Sequence, residues 1–260
     1  MSDCARTPGE VSIVGAGPGD PELITLKALK RIQQADIILY DRLVNEQLLG
    51  HARPDAKLLY VGKAPGRHSM PQGQIIEKLI LFANEGYKVV RLKGGDPFIF
   101  GRGGEEAIAL AERGIPYEIV PGITSAIGAA AAAQIPLTHR GQSASVAFVT
   151  GNRCHDNEVP PRWDLLAQSV ETLVIYMGVS ELDAIRSTLL LHGKPAETPV
   201  ALIEKGTTAH QRVVTGSLSN IHKLAEAMKL SNPALIVIGE AVKVRERLLQ
   251  LQAEAVERIG

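Results

Sequence analysis

Val11-Ser12-Ile13-Val14-Gly15-Ala16-Gly17-Pro18-Gly19-Asp20 and Val89-Val90-Arg91-Leu92-Lys93-Gly94-Gly95-Asp96-Pro97 decide the fold of this chain. Each reads as a buried strand that runs straight into a glycine-rich turn. Glycine adopts positive φ readily and lets other backbone come close. In an open α/β sheet such turns line the crevice at the carboxyl ends of the strands, where ligands bind. Two of them in one half of the chain point to a small-molecule site.

The same pattern repeats outward. Strands are expected at 11–14, 35–40, 57–61, 88–92, 117–120, 145–150, 171–177, 199–204, 211–215 and 234–239. Amphipathic stretches lie between most of them, at 21–34, 72–85, 103–113, 123–133, 179–192, 219–229 and 241–257. Strands separated by helix-length segments predict βαβ units and a mostly parallel sheet. Gln211–Thr215 follows 199–204 too soon for a crossover helix and reads as an antiparallel neighbour, so the second half is expected to hold a mixed sheet. The polar stretch Ile135–Gln142, with Pro136, marks the expected boundary. It gives an N-terminal α/β domain over 10–137 and a C-terminal α/β domain over 141–245, with a terminal helix to about 258.

Composition narrows the class. With 45% hydrophobic residues in 260, a proper core can be buried. Lys+Arg and Asp+Glu are both 28, and this balance argues against a general nucleic-acid binder. Cys4 and Cys154 both lie in polar stretches, which suits a reducing cytosol rather than a disulfide framework. No apolar run reaches the roughly 18 residues of a membrane helix. Residues 1–10 are polar with no apolar segment behind them, so a cytoplasmic protein without membrane contact is expected. The seven histidines show no His-x-x-x-His or Cys/His clustering, and no metal is expected.

The first turn imitates a dinucleotide fingerprint and departs from it. That fingerprint needs a third glycine where this chain has Asp20. Asp20 reads as an N-cap, with Pro21 at the first helical position and Glu22 behind it. A helix start already capped by a carboxylate has few N–H groups left for a pyrophosphate, and its charge repels one. Pro18 removes another backbone donor. Asp41 lies where the ribose-binding acid would, but the phosphate half of the motif fails. The turn fits a ligand without phosphates that needs close backbone approach. It also fits a tight turn and a helix cap with no ligand.

In the second turn Asp96 can accept from a ligand amine or hydroxyl, and Ile99 and Phe100 can wall an apolar face. Gly101, Gly103 and Gly104 around Arg102 suggest backbone held close to something bulky. A glycine-rich loop with Arg102 in water, and Glu105 simply favouring a helix N-terminus, satisfies the same residues. Val120-Pro121-Gly122-Ile123-Thr124-Ser125 is a third strand-to-helix turn. The alanine-rich helix behind it reads as close packing, which leaves Thr124 and Ser125 as candidates.

Together these motifs resemble the tetrapyrrole methylase family. The matching residues are Val14–Asp20, Leu23-Ile24-Thr25-Leu26-Lys27-Ala28, Tyr40-Asp41-Arg42-Leu43-Val44, Val61-Gly62-Lys63, Val90–Glu106 and Val120–Ser125. Ile135-Pro136-Leu137-Thr138-His139-Arg140, Tyr176-Met177-Gly178, Glu204-Lys205-Gly206-Thr207 and Gln211-Arg212-Val213-Val214 complete the set, in order, over roughly 10–245. The blocks at Asp41–Val44, Gly94–Glu106 and Thr138–Arg140 resemble the branch that acts on uroporphyrinogen III. The resemblance implies a homodimer of two-domain α/β subunits with the active site in the cleft between domains. It implies S-adenosylmethionine as methyl donor and uroporphyrinogen III as acceptor. Methylation at ring carbons 2 and 7 would give precorrin-2 through precorrin-1, with S-adenosylhomocysteine released. The product would feed siroheme, cobalamin or haem d1 synthesis.

The resemblance assigns the donor site to Pro18, Gly94, Gly95, Asp96, Ile99, Thr124, Ser125, Met177 and Gly206. Ser125 stands where relatives often carry alanine. The donor has no phosphate, which agrees with the independent reading of the first turn. The same resemblance places proton acceptor and donor at Asp41 and Lys63. Both follow predicted strands, and the pair also reads as an ordinary strand-end salt bridge. Arg42 competes for the proton step, but an arginine stays charged and is a poor base, which favours an anchor or charge stabiliser. An acceptor with eight carboxylates needs guanidinium forks, and Arg42, Arg102 and Arg140 fit that need. Glu105 either accepts from pyrrole N–H groups or holds Arg102. Met177 fits against an adenine or in a core. A nicotinamide oxidoreductase, a sister methylase with another acceptor, and a sensor that holds the donor without turnover are the competing classes.

Overall fold

The computed structural model describes residues 9–62, 70–151 and 161–259. They form two compact units that divide between Thr124 and Ser125. Each unit is built on a five-stranded sheet.

In the first unit β1 (Val11–Gly15), β2 (Ile37–Tyr40), β3 (Lys57–Tyr60), β4 (Val89–Lys93) and β5 (Tyr117–Val120) lie in the order β3-β2-β4-β1-β5. Every neighbouring pair is parallel. The sheet expected to be mostly parallel is wholly so, because each connection crosses over before its next strand. Alternate side chains serve opposite faces. Val11, Ile13, Ile37, Leu39 and Val89 pack under α2 (Gln72–Asn84) and α3 (Gly103–Ala111). Val14, Ile38, Val90, Leu92 and Val120 pack under α1 (Leu26–Gln34) and the short 3-10 stretch Glu46–His51. The chain leaves β1 toward β2 on one side and leaves β4 toward β5 on the other. Adjacent β1 and β4 therefore form the topological switch point, and both glycine turns follow those two strands.

The continuous helix expected over 21–34 is broken. Asp20 does cap, accepting from Glu22 N at 2.9 Å, but it caps a single 3-10 turn, Pro21–Leu23. Ile24 and Thr25 are extended, and Thr25 then caps α1 by accepting from Ala28 N at 3.1 Å. A threonine hydroxyl competes for the backbone donor and restarts the helix.

The second unit holds α4 (Ser125–Ala132), β6 (Val146–Thr150), α5 (Trp163–Ser169), β7 (Thr172–Tyr176), α6 (Leu182–Leu191), β8 (Pro199–Glu204), β9 (Arg212–Ser217), α7 (Ile221–Ala227), β10 (Ala234–Ile238) and α8 (Val242–Ile259). The strand order is β6-β7-β10-β8-β9. Only β6–β7 is parallel, and β9 runs antiparallel to β8 as its short spacing requires, so this sheet is mixed. The units divide earlier than the polar stretch at 135–142 suggested. Ala126, Ala129 and Ala133 belong to one core with Val174, Ala201, Ile203, Leu235 and Val237 of the second sheet. Small side chains let α4 lie close to those strands, and that contact, which local composition does not report, takes the helix into the second unit. The helix α5 was not anticipated either. Among the described residues no helix is long and apolar enough to cross a membrane.

Glu204 closes this unit at the end of β8. It is buried, and it accepts from Arg212 Nε and from Ser231 N and Oγ at 3.0 and 2.7 Å. These donors, Arg212 first, hold its carboxyl at about 2, below the ordinary 4.5. A lowered folded-state value means stability that is complete above the ordinary carboxylate range and lost as pH falls toward 2. A difference of that size contributes on the order of 3 kcal/mol. Glu204→Gln should therefore be the less stable protein in urea unfolding at pH 7, and the gap to the parent should narrow below about pH 4.5 and fall to less than about half by roughly pH 2.5–3. A constant gap across that range would remove Glu204 as the source.

Candidate functional site

The carboxyl ends of β1, β4 and β5 meet backbone on backbone. Gly17 N donates to Gly95 O at 3.2 Å, and Gly95 N returns to Gly17 O at 2.7 Å. A Cβ on Gly122 would stand 2.3 Å from Gly95 O, and one on Gly15 would stand 2.6 Å from Gly122 N. The glycines expected to make room for a ligand thus first make room for one another. Asp96 locks the crossing, since Oδ1 accepts from Phe98 N at 2.8 Å and Oδ2 from Gly122 N at 3.0 Å. A carboxylate has about four lone-pair sites, so two backbone donors do not exhaust it. Gly94 passes Leu43, where a Cβ would come within 2.8 Å of the Leu43 Cβ. Asn45 Nδ2 donates to Gly19 O at 2.8 Å, which ties the loop after Asp41 to the first turn and half-buried Pro18. Pro18, Asp41, Gly94, Gly95, Asp96 and buried Thr124 therefore lie on connected strand-end loops of the first unit.

The Arg102 segment has an internal explanation too. Cβ atoms on Gly101 and Gly103 would each lie 2.6 Å from Pro97 O, so the bulky neighbour is the protein's own backbone. Phe100 and Arg102 take left-handed φ values of 52° and 59°. Non-glycine residues hold such angles at a cost, and such residues cluster at functional sites. Arg102 leads into α3 and clasps Glu105 with two bonds, Nε to Oε1 at 2.8 Å and Nη2 to Oε2 at 2.7 Å. Of the two roles open to Glu105, holding Arg102 is the one this geometry shows. The Arg102 hydrogen bond also lowers the Glu105 carboxyl from its ordinary value. Both side chains are about half exposed. Ile99 is half-buried between exposed Phe98 and Phe100.

Asp41 has a partner the sequence reading passed over. Its Oδ1 accepts from Arg91 Nη2 at 2.7 Å. Lys63, the partner considered for it, lies outside the described residues. Arg91 is buried in β4, and its Nε donates to Glu106 Oε1 at 3.0 Å. Lys93 Nζ and Gln72 Nε2 donate to the same oxygen, each at 3.0 Å. Burial opposes the Arg91 charge, but Asp41 and Glu106 outweigh it and raise its value. Burial first, and then the Arg91 cation, push the Lys93 ammonium below the ordinary lysine value. A signal for this cluster existed. Arg91 and Lys93 alternate with Val89 on the core face of β4, and Glu106 shares the buried stripe of α3 with Gly103, Ala107 and Leu110. Charges at core positions of both a strand and a helix call for each other.

In the second unit Tyr176 Oη accepts from Ala126 N at 2.9 Å, beside Ser125 at the start of α4. Met177, next to it, is 41% exposed with φ 52°, so it is no core methionine. A Cβ on Gly206 would lie 2.3 Å from the Ala129 Cβ, and the flanking Lys205 and Thr207 take φ values of 47° and 66°. Ser125, Met177 and Gly206 are thus gathered around α4. Arg140 is exposed in a turn where His139 N and Ser143 O pair at 2.9 Å, and Arg42 is exposed after β2. Among the described residues no group of three or more His, Cys, Asp and Glu is placed to hold a metal ion.

A wholly parallel, doubly wound unit followed by a mixed-sheet unit, with glycine turns knotted at the switch point, defines an α/β ligand-binding class. Residues 10–222 match the Tetrapyrrole (Corrin/Porphyrin) Methylases, and the chain belongs to that family. It is 56% identical over 234 residues to the uroporphyrinogen-III C-methyltransferase of Priestia megaterium, covering 90% of this chain and 98% of that one. It is 54% identical over 240 residues to siroheme synthase 2 of Aeromonas hydrophila, covering 92% of this chain and half of that longer one. The crystal structure of uroporphyrin-III C-methyl transferase from Thermus thermophilus, complexed with S-adenyl homocysteine, superposes with a TM-score of 0.78 at 40% identity. That match covers 91% of this chain and 94% of the other.

The backbone crossing yields a paired test by urea unfolding. Gly122→Ala should lose at least about 2–3 kcal/mol, because its Cβ meets a carbonyl that cannot swing aside. Gly104→Ala, whose Cβ meets nothing within 4 Å in the first turn of α3, should be neutral or gain up to about 1 kcal/mol.

Proposed function

We propose that the protein transfers methyl groups from S-adenosylmethionine to carbons 2 and 7 of uroporphyrinogen III. The products are precorrin-2, by way of precorrin-1, and S-adenosylhomocysteine. The observation that carries this reading is the likeness over nearly its whole length to the Priestia megaterium relative, whose name states that acceptor and a C-methylation. The half-length match to a siroheme synthase supports a reaction on the same macrocycle.

The residues fit the chemistry. The first turn is closed by the Asp20 cap and carries Pro18, which suits a donor with a sulfonium cation and no phosphate. Pro18, Gly94, Gly95, Asp96, Ile99, Thr124, Ser125, Met177 and Gly206 are the residues assigned to the donor. Asp96 acts there chiefly by holding two turns in place through its backbone bonds. Arg42, Arg102 and Arg140 are exposed guanidiniums for the acceptor's carboxylates, and Glu105 keeps Arg102 in one orientation.

The methyl group leaves sulfur for an electron-rich ring carbon, and the C–S bond breaks as the C–C bond forms. No protein nucleophile is needed, and alignment supplies most of the rate. The methylated ring then gives up a proton, for which Asp41 is the acceptor. Lys63 is the corresponding proton donor. The same reading makes the protein a cytoplasmic homodimer. The two methylations would supply siroheme, cobalamin or haem d1 synthesis.

Anaerobic incubation with labelled S-adenosylmethionine and uroporphyrinogen III should add two methyl groups to the tetrapyrrole, read by mass. Binding of the donor with no methyl gain would overturn the acceptor assignment. Asp96→Ala should weaken donor affinity by at least about tenfold, since both turns lose their tie. Survival within a few fold would remove Asp96 from the donor set. Arg102→Ala should raise the acceptor KM by roughly 10-fold or more and leave donor affinity in place.

A further inference from the structure

We propose that Arg91, braced from behind by Glu106, is a positioning residue for methyl transfer: it commits one oxygen of Asp41 to its guanidinium and leaves the other to take the ring proton. The inference rests on Asp41 being the proton acceptor. What is added is which oxygen acts and what holds it.

Each nitrogen of the guanidinium has a partner. Nη2 donates to Asp41 Oδ1 at 2.7 Å, and Nε donates to Glu106 Oε1 at 3.0 Å. Nη1 faces two backbone carbonyls, Leu92 O at 3.2 Å and Leu39 O at 3.4 Å. Leu39 and Arg91 are register partners of β2 and β4, so the fork is anchored to the sheet itself. Arg91 is 2% exposed and Glu106 is 0% exposed, whereas the Asp41 side chain is 30% exposed. The cluster is therefore rigid at the back and open only at Asp41. Among the described residues the Asp41 carboxylate is held through Oδ1 alone.

Energetics point the same way. A buried ion cluster is a poor way to stabilise a core, and apolar residues of similar volume usually do as well or better. This one also leaves Glu106 Oε2 buried with no partner, while Oε1 receives three donors. An arrangement that is costly as packing and exact in aim toward one half-exposed carboxylate fits a device for orientation. Two cations, Arg91 and Lys93, face two anions, Asp41 and Glu106, so the Arg91 charge is shared and does not wholly neutralise Asp41. In the proton step the bond from the methylated ring to hydrogen breaks and leaves its electron pair on the macrocycle. An O–H bond forms at Asp41 Oδ2, and the exposed edge of that carboxyl returns the proton to water.

The test is a set of full-length variants, Asp41→Asn, Arg91→Lys, Glu106→Gln and the double Asp41→Asn with Arg91→Lys. Each is assayed for kcat and acceptor KM, with S-adenosylhomocysteine affinity by calorimetry. Arg91→Lys keeps the charge and loses the fork, so kcat should fall roughly 10- to 100-fold, the scale of a misplacement near 1 Å. Glu106→Gln should lower kcat by about tenfold, while KM and S-adenosylhomocysteine affinity stay within about threefold for both. In the double variant the Arg91 change should add nothing to the loss from Asp41→Asn, because the arginine acts through that carboxylate. Should Arg91→Lys fail to fold, Glu106→Gln, which keeps the side-chain shape, decides alone. A kcat within about threefold of the parent in both single variants overturns the proposal, as does an undiminished Arg91 effect without Asp41. If Asp41→Asn itself keeps kcat, the proton-acceptor reading falls and this inference falls with it. If Asp41→Asn is slow while the others are fast, only the inference falls.

Discussion

The constraint on which the first unit's strand-end loops depend is the backbone crossing of Gly15, Gly95 and Gly122. Three strand-end turns approach within distances that any side chain would forbid. The two hydrogen bonds between Gly17 and Gly95 form an antiparallel bridge just past the parallel β1–β4 pairing and set where the chain turns away. Asp96 then fastens the β4 turn to the β5 turn with a charge-assisted bond to Gly122 N. Once these turns are pinned, the loop after Asp41 has one place to lie, because Leu43 must pass Gly94 and Asn45 must reach Gly19. The switch point of a doubly wound sheet is usually an open crevice. Here its floor is closed by backbone, so the side chains above it are presented rather than swallowed.

Beneath those turns the α2/α3 face of the first sheet changes character along its length. Toward the amino ends it is aliphatic, with Val11, Ile37 and Val89. Toward the carboxyl ends it becomes the ion cluster of Arg91, Lys93, Glu106 and Asp41. Desolvation of each charge is worth several kcal/mol, and only complete pairing offsets it. The cluster therefore behaves as one object. It joins the strand that ends in the second glycine turn, the helix that begins at Arg102, and the loop that holds Asp41. A core that could have been apolar instead links the three segments that carry the residues proposed for the proton step and for the acceptor's carboxylates.

The ordered alternation of strands and helices was legible because hydrophobic period and turn chemistry are local. Even the antiparallel β9 could be foreseen, since the seven residues between Glu204 and Arg212 cannot carry a crossover helix. Where reading failed, a longer-range contact or a competing local bond had decided. Thr25 interrupts the first helix because its hydroxyl offers the backbone a second cap. The alanine helix α4 joins the second sheet because Ala129 can meet Gly206 across a gap no larger residue would allow. Arg91 was absorbed into an apolar run, although its alternation with Val89 on a core face was visible.

The sequence by itself determined the fold class, the strand-end turns, the departure of the first of them from a dinucleotide fingerprint, and the family. Those features rest on spacing, on glycine, proline and capping residues, and on the sign of nearby charge, all of which act within a few positions of the chain. Only the tertiary structure decided what the glycines pack against, which side chain Glu105 clasps, and which cation Asp41 meets. Asp41 and Arg91 lie 50 positions apart in sequence and 2.7 Å apart in space. A charge pair of that kind is set by the parallel register of β2 on β4, which no local pattern contains.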